Sequence, residues 1–244
     1  MLGFDPDKES ADDYDAERCT RIVRSAIGDD DADVEFVEAG TWHMTAQVAE
    51  RMRGGQVFLL GDAAHRFPPT GGMGLNTGVA DAHNLVWKVL AVEEGRDESL
   101  LDTYEAERRP VAEINCHQSL TNAFKMVILA QALELHPAAT SADLATTLGD
   151  PTRRESIAAA VDEQATHFDM LGLQLGYVYG HPDSNADPRV FAPTGVVGSR
   201  LPHGWLADGR STLDLVDPRS MTLLTCGSHA EWAGTVATAG APIV

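Results

Sequence analysis

The hydrophobic and polar positions of this chain divide it into a run of short elements. From Ala11 to Ile27, apolar or small side chains stand at Tyr14, Cys19, Ile22, Val23 and Ile27, a roughly helical spacing, and Gly28 follows where a C-cap would sit. That predicts one amphipathic helix. Beyond the acidic turn Asp29 to Asp31, the alternation at Val34, Phe36 and then Val37 to Trp42 predicts a strand with one solvated face. Gln56 to Leu60 is a short apolar run bounded by Gly54-Gly55 and Gly61-Asp62, as expected of a buried strand. Pro68, Pro69, Gly71, Gly72 and Gly74 exclude regular structure from Arg66 to Gly74, and helical spacing resumes from Asn76 to Glu94 through Val79, His83, Val86, Val89 and Leu90. A second helical region runs from Leu100 to about Leu135, with Pro110 as a kink or a new start. His136-Pro137 ends it, and helices are expected over Ser141 to Leu148 and from Pro151 to about Leu171. Glycine and proline punctuation dominates after Tyr177, with a boundary near residue 185. Past it a strand is expected over Ser220 to Cys226, a helix over Ser228 to Ala239, and a strand from Ala241 to Val244.

Composition narrows the function more than the fold. At 244 residues the chain has room for one large or two ordinary domains. With 37 acidic residues against 18 basic ones its formal charge is −19, and no basic block exists from which a phosphate-tracking surface could be built, so nucleic-acid binding is disfavoured. Of the basic residues 15 are Arg and 3 are Lys; a halophilic source and an ordinary acidic protein from a GC-rich genome account for this equally well. No apolar run approaches the roughly 18 residues of a membrane span, and the acidic start lacks the basic and apolar regions of a secretory signal. No membrane partner and a cytoplasmic location are therefore expected. Cys19, Cys116 and Cys226 are odd in number and widely spaced, which argues against disulfides and thiolate metal sites, and each reads as a small buried hydrophobe.

The stretch that carries chemistry is Gly61 to Gly78, directly after the predicted buried strand and directly before a helix. A glycine-rich loop at a strand exit lets backbone amides approach a flat or anionic group, and the next helix adds free N–H groups and its positive dipole end. Asp62 at the exit could accept hydrogen bonds from sugar-like hydroxyls, while Ala63 and Ala64 leave room for a phosphate chain. A tight turn packing a helix on a sheet would have the same composition. Gly72-Met73-Gly74 is also not a dinucleotide fingerprint, since Thr77 stands where the third glycine should be.

The string as a whole nevertheless resembles the second FAD-binding motif of the para-hydroxybenzoate hydroxylase-like flavoprotein monooxygenases, in particular the phenol and dichlorophenol hydroxylase branch with its polyketide-hydroxylase relatives. The residues carrying the likeness run from Trp42 through Ala49-Glu50-Arg51 and Gly55 to His65, then Asp81 to Lys88 and Tyr104 to Pro110. Leu171 to Tyr177 and Gly198 to Leu206 look like that branch's junction and the entry to its thioredoxin-like C-terminal domain. The resemblance implies a mixed α/β (α+β) fold. Residues 1–50 would end a substrate domain, 51–185 would be the C-terminal part of a Rossmann-like FAD-binding domain with a helical segment, and 186–244 would begin a truncated thioredoxin-like domain.

It also implies FAD as cofactor and NAD(P)H as co-substrate, with one atom of O2 transferred to a small aromatic substrate; the cofactor supplies that chemistry. Carried over by position, Gly61 and Asp62 would meet the ribityl or pyrophosphate region, and Pro68 and Pro69 the isoalloxazine edge. Gly71, Gly72, Met73, Gly74, Leu75 and Asn76 would present backbone to the pyrimidine edge, where a helix N-terminus stabilises anionic reduced flavin. No residue is assigned as an acid, a base or a metal ligand. The family's first G-x-G-x-x-G motif is absent, so the chain is expected to be a C-terminal fragment that binds FAD weakly or not at all alone. The alternative is a non-catalytic split-gene remnant or interaction module that binds no flavin on its own. A homodimer through the C-terminal unit, or a complementing N-terminal chain, fits either reading.

Other candidates have plainer explanations. His65 and His83 flank the segment without a ligand cluster, and ion pairs at helical spacing with Glu105 and Glu107 account for Arg108 and Arg109 better than the alternative, a pyrophosphate contact. Trp42 and Trp87 are expected in the core, and packing is also the better account of His203 and Trp205.

Overall fold

The computed structural model describes residues 8–136, 139–181, 187–217, 221–224 and Trp232. It divides into two compact units, Met1–Met44 and Thr45–Val244.

The first unit carries a 3-10 turn, Ala11–Asp13, and α1, Ala16–Ile27. The Asp15 side chain caps α1 by accepting from the Arg18 amide at 2.8 Å, and Gly28 closes it in the left-handed conformation (φ 78°), as its sequence predicts. The strand expected between Val34 and Trp42 does not form: Ala32–Thr45 pairs with no strand, and Val37 and Trp42 are exposed. Alternation supplied one apolar face, but a strand also needs a hydrogen-bonding neighbour.

The second unit is a helical framework edged by two short antiparallel ladders. β1, Gln47–Val48, pairs with β4, His65–Arg66, and β2, Arg53–Gly54, with β3, Val57–Phe58. The predicted buried strand Gln56 to Leu60 is thus only the second arm of a hairpin, and its Val57 is 65% exposed. Gly55 at the tip takes φ 61°, which a two-residue connection demands and glycine allows.

The helices are α2, Met73–Glu93; α3, Thr103–Ala132; α4, Ser141–Gly149; α5, Arg154–Asp162; and α6, Leu171–Leu175. α3 continues through Pro110, so the proline neither starts nor ends a helix. The expected helix from Pro151 to Leu171 is instead α5 between 3-10 turns at Pro151–Arg153 and Glu163–His167. Phe67, Met73, Ala112, Met170 and Leu173 form one core cluster, and Met52, Ala64, Leu85 and Tyr104 another.

The buried face of α2 differs from the one its apolar spacing predicts. Val79, Val86 and Leu90 are exposed, whereas Thr77, Asp81, Asn84 and Lys88 are buried. These four lie on one stripe at helical spacing, and the groups they meet, chiefly on α3, are equally polar. Trp42 and Trp205, expected in packing roles, are 54% and 75% exposed. Cys19 and Cys116 are free and half-buried; Cys226 lies outside the described residues. Residues 221–224 have no regular structure; of the helix expected over Ser228 to Ala239 Trp232 alone is described, and it is helical, while the rest of the expected elements between Ser220 and Val244 lies outside the described residues. No helix among the described residues is long and apolar enough to cross a membrane.

Candidate functional site

The glycine-rich segment folds as two turns resting on the start of α2. Leu60 leaves β3 extended, and Gly61–Ala63 closes a 3-10 turn whose entry, Gly61 at φ 54°, needs a glycine. Gly78 on α2 touches this turn: a Cβ there would stand 3.1 Å from the Gly61 Cα, so the two glycines let the turn lie directly on the helix. Asp62, at its crest, is exposed and has no partner among the described residues.

The second turn carries the chain from β4 to α2. Thr70 exchanges hydrogen bonds with Ser119 of α3, donating its hydroxyl to the Ser119 carbonyl at 2.5 Å and accepting from Ser119 Oγ at 3.3 Å. Gly71 follows at φ 97°, where a side chain would press on Asn122, Met170 and Met73. Gly72, at φ 65°, is the N-cap of α2, and no side chain caps this end. The first-turn amides of α2 therefore have neither an intrahelical acceptor nor a side-chain one. Space is open where side chains would stand on Gly72 and Gly74, and Leu75 and Asn76 are exposed.

The predicted residues are thus brought together but not all on the open side. Gly61, Asp62, Pro69, Gly72, Gly74, Leu75 and Asn76 are accessible to differing degrees, while Pro68 and Met73 are enclosed by the protein's own core. Asn76 turns back to its own helix, donating from Nδ2 to the Gly72 carbonyl at 2.9 Å.

Sequence reasoning missed the group that holds these turns. Asp81 is fully buried, with Oδ2 accepting from His65 Nε2 at 2.7 Å and from the Gly61 amide at 3.2 Å, and Oδ1 accepting from Arg108 Nε at 2.8 Å. Burial alone would raise the Asp81 pKa, but the hydrogen bonds from His65 and Arg108 outweigh it and hold the carboxyl below its usual value. Arg108 also donates to the Tyr179 hydroxyl at 3.2 Å and the Thr77 carbonyl at 3.4 Å. The expected helical-spacing pairs of Arg108 and Arg109 with Glu105 and Glu107 do not form. Arg109 pairs with Glu113, Glu107 with buried Lys88 at 2.7 Å, and Glu105 accepts from the Met52 and Arg53 amides. The available signal was the buried spacing of Thr77, Asp81, Asn84 and Lys88, which a search for apolar stripes passes over.

Comparison with known proteins gives consistent results. A family model described as an FAD binding domain matches residues 2–119. A putative polyketide hydroxylase of Streptomyces halstedii is 37% identical over 225 residues, covering 88% of this chain and 36% of that protein. A phenol 2-monooxygenase of a Pseudomonas species is 30% identical over 256 residues, covering 96% and 42%. Among solved structures, the flavin-dependent monooxygenase PieE, in complex with FAD and substrate, superposes with a TM-score of 0.83 at 31% identity over 99% of this chain and 46% of its own. The rebeccamycin biosynthetic enzyme RebC with reduced flavin gives a TM-score of 0.71, also at 31% identity. The chain spans roughly two fifths of the length of these relatives.

Proposed function

We propose, from the premise that this chain belongs to the flavoprotein aromatic monooxygenases with an FAD-binding domain, that it provides one wall of the flavin site of an aromatic or polyketide hydroxylase. The observation that carries this reading is the uncapped N-terminus of α2 beside open glycines, with the free carboxylate of Asp62 on the adjoining turn. These residues fit FAD: the α2 amides match a pyrimidine edge that becomes anionic on reduction, and Asp62 matches the hydroxyls of a ribityl chain. When bound, FAD supplies the redox chemistry, taking electrons from NAD(P)H and using O2 to hydroxylate an electron-rich ring.

The chain's own part is positioning and electrostatics. Amides between Gly72 and Asn76 would hold the ring through backbone, so the helix end offsets negative charge without a titrating group. Asp81 fixes the Gly61 turn from behind and so sets where Asp62 stands. On the same resemblance we assign residues from about 186 onward to the entry of a thioredoxin-like unit, residues 51–185 to the FAD-binding domain and residues 1–50 to the end of a substrate domain.

Flavin-fluorescence titration of this chain tests the site. Weak, saturable quenching of FAD is expected, because a single wall makes only part of the contacts. Asp62→Ala should weaken it by about 1.5 to 3 kcal/mol, the contribution of a hydrogen bond to a charged group. Gly74→Val should abolish it by filling the open space, while Met73→Leu, inside the core, should leave it unchanged. Equal titrations of all four proteins would remove the loop from the flavin site and leave only the family fold.

A further inference from the structure

A cavity of about 390 Å³ opens roughly two to three helical turns further along α2 than the proposed flavin loop. None of the residues assigned to FAD lines it. Its walls are His83, Asn84 and Trp87 of α2, Glu107 of α3, and the stretch that brings in Tyr177, Tyr179 and Arg200. The volume is that of a small-molecule site, for which about 300 to 1,000 Å³ is usual.

Charge selects the occupant. The chain carries a net −19, yet the ionised groups here leave a positive excess. Glu107, the acidic residue of the lining, is neutralised by Lys88 at 2.7 Å. The Lys88 ammonium also lies 5.6 Å from the Trp87 ring centroid, and the Arg108 guanidinium 5.6 Å from that of Tyr177, with Asp81 balancing Arg108. Arg200 is exposed at the rim and makes no ion pair with any described residue. An unpaired guanidinium offers a carboxylate two parallel donors, and the indole and phenol rings offer faces and edges to a flat apolar ring.

We propose that this cavity is a second binding site, separate from the flavin loop, for a small planar aromatic carboxylate. The ring packs against Trp87 and Tyr177 and the carboxylate bridges to Arg200. With Lys88 and Arg108 each balanced by a carboxylate, the uncompensated charge of Arg200 disfavours a cationic ligand and favours an anionic one over a neutral one.

Isothermal titration of the chain with benzoate, and in parallel with benzyl alcohol and benzylamine, provides the test. Saturable uptake of one benzoate is expected, with the alcohol and the amine bound at least about tenfold more weakly, the loss of one charge-assisted contact. Arg200→Gln should bring benzoate down to the level of the alcohol. Because Arg200 is exposed, that variant should fold normally, and the comparison of three probes on the unaltered chain needs no variant at all. Gly74→Val, which blocks the flavin loop, should bind benzoate as the parent does, so the two sites fail independently. Absence of saturable benzoate binding, equal affinity for benzyl alcohol, undiminished binding by Arg200→Gln, or loss of binding in Gly74→Val would each overturn the proposal.

Discussion

Asp81 shows how one side chain can organise a site it never faces. Its two oxygens accept from a histidine of β4, an arginine of α3 and the amide of Gly61, so three separated parts of the chain converge on one buried charge. Asp81→Asn should destabilise the protein by about 3 to 5 kcal/mol in urea unfolding, because it strands the Arg108 guanidinium without its counter-charge. The pH dependence follows from the depressed folded pKa. The stability due to Asp81 is fully present above the ordinary carboxylate value of 3.8 and is lost as pH falls through its lower folded value. The parent's urea midpoint should therefore drop on acidification through that range, while that of Asp81→Asn should respond less. Sequence reading found the open residues of the loop because glycine and proline state their backbone needs locally. It could not tell that Pro68 and Met73 face inward, since Met73 packs on Ala112 of α3 and on Met170, far along the chain.

At the scale of elements, helices were legible where caps and punctuation marked their ends. Gly28 after α1 is a local signal that the structure uses. Strands were poorly legible, because each ladder here is two residues long and depends on a partner that alternation alone does not supply. The buried face of α2 was misread for a different reason: pairing with α3 makes a polar stripe the inner one. A similar dependence on close approach governs the stretch after Tyr177. A Cβ on Gly172 would collide with the Val190 and Asp187 carbonyls, and one on Gly198, at φ 89°, with the Tyr179 carbonyl. Gly172→Ala and Gly198→Ala should each lower Tm and speed limited proteolysis between residues 187 and 200, leaving cleavage of α4 and α5 unchanged. Cleavage no faster than in the parent would show that this stretch is held by other contacts.

For the molecule as a whole, charge sets the response to solvent. A net −19 repels itself in the compact state, and exposed charges are screened over about 10 Å at 0.1 M salt and about 3 Å at 1 M. Tm should therefore rise with sodium chloride across that range, checked by thermal melts; a fall would mean that the attractive pairs, such as Arg53 with Glu98 and Asp102, outweigh the general repulsion. The scarcity of lysine has a further consequence. The chain has only Lys8, Lys88 and Lys125, of which Lys88 is wholly buried under Glu107 and Asn84. Burial lowers its pKa against the pull of Glu107, and the same burial keeps reagents away from the amine. Acylation of exposed Lys8 should be complete early, whereas Lys88 should react only when α2 and α3 separate. The mass increment at that one residue is thus a clock for opening of the core, read by peptide mass spectrometry under native conditions.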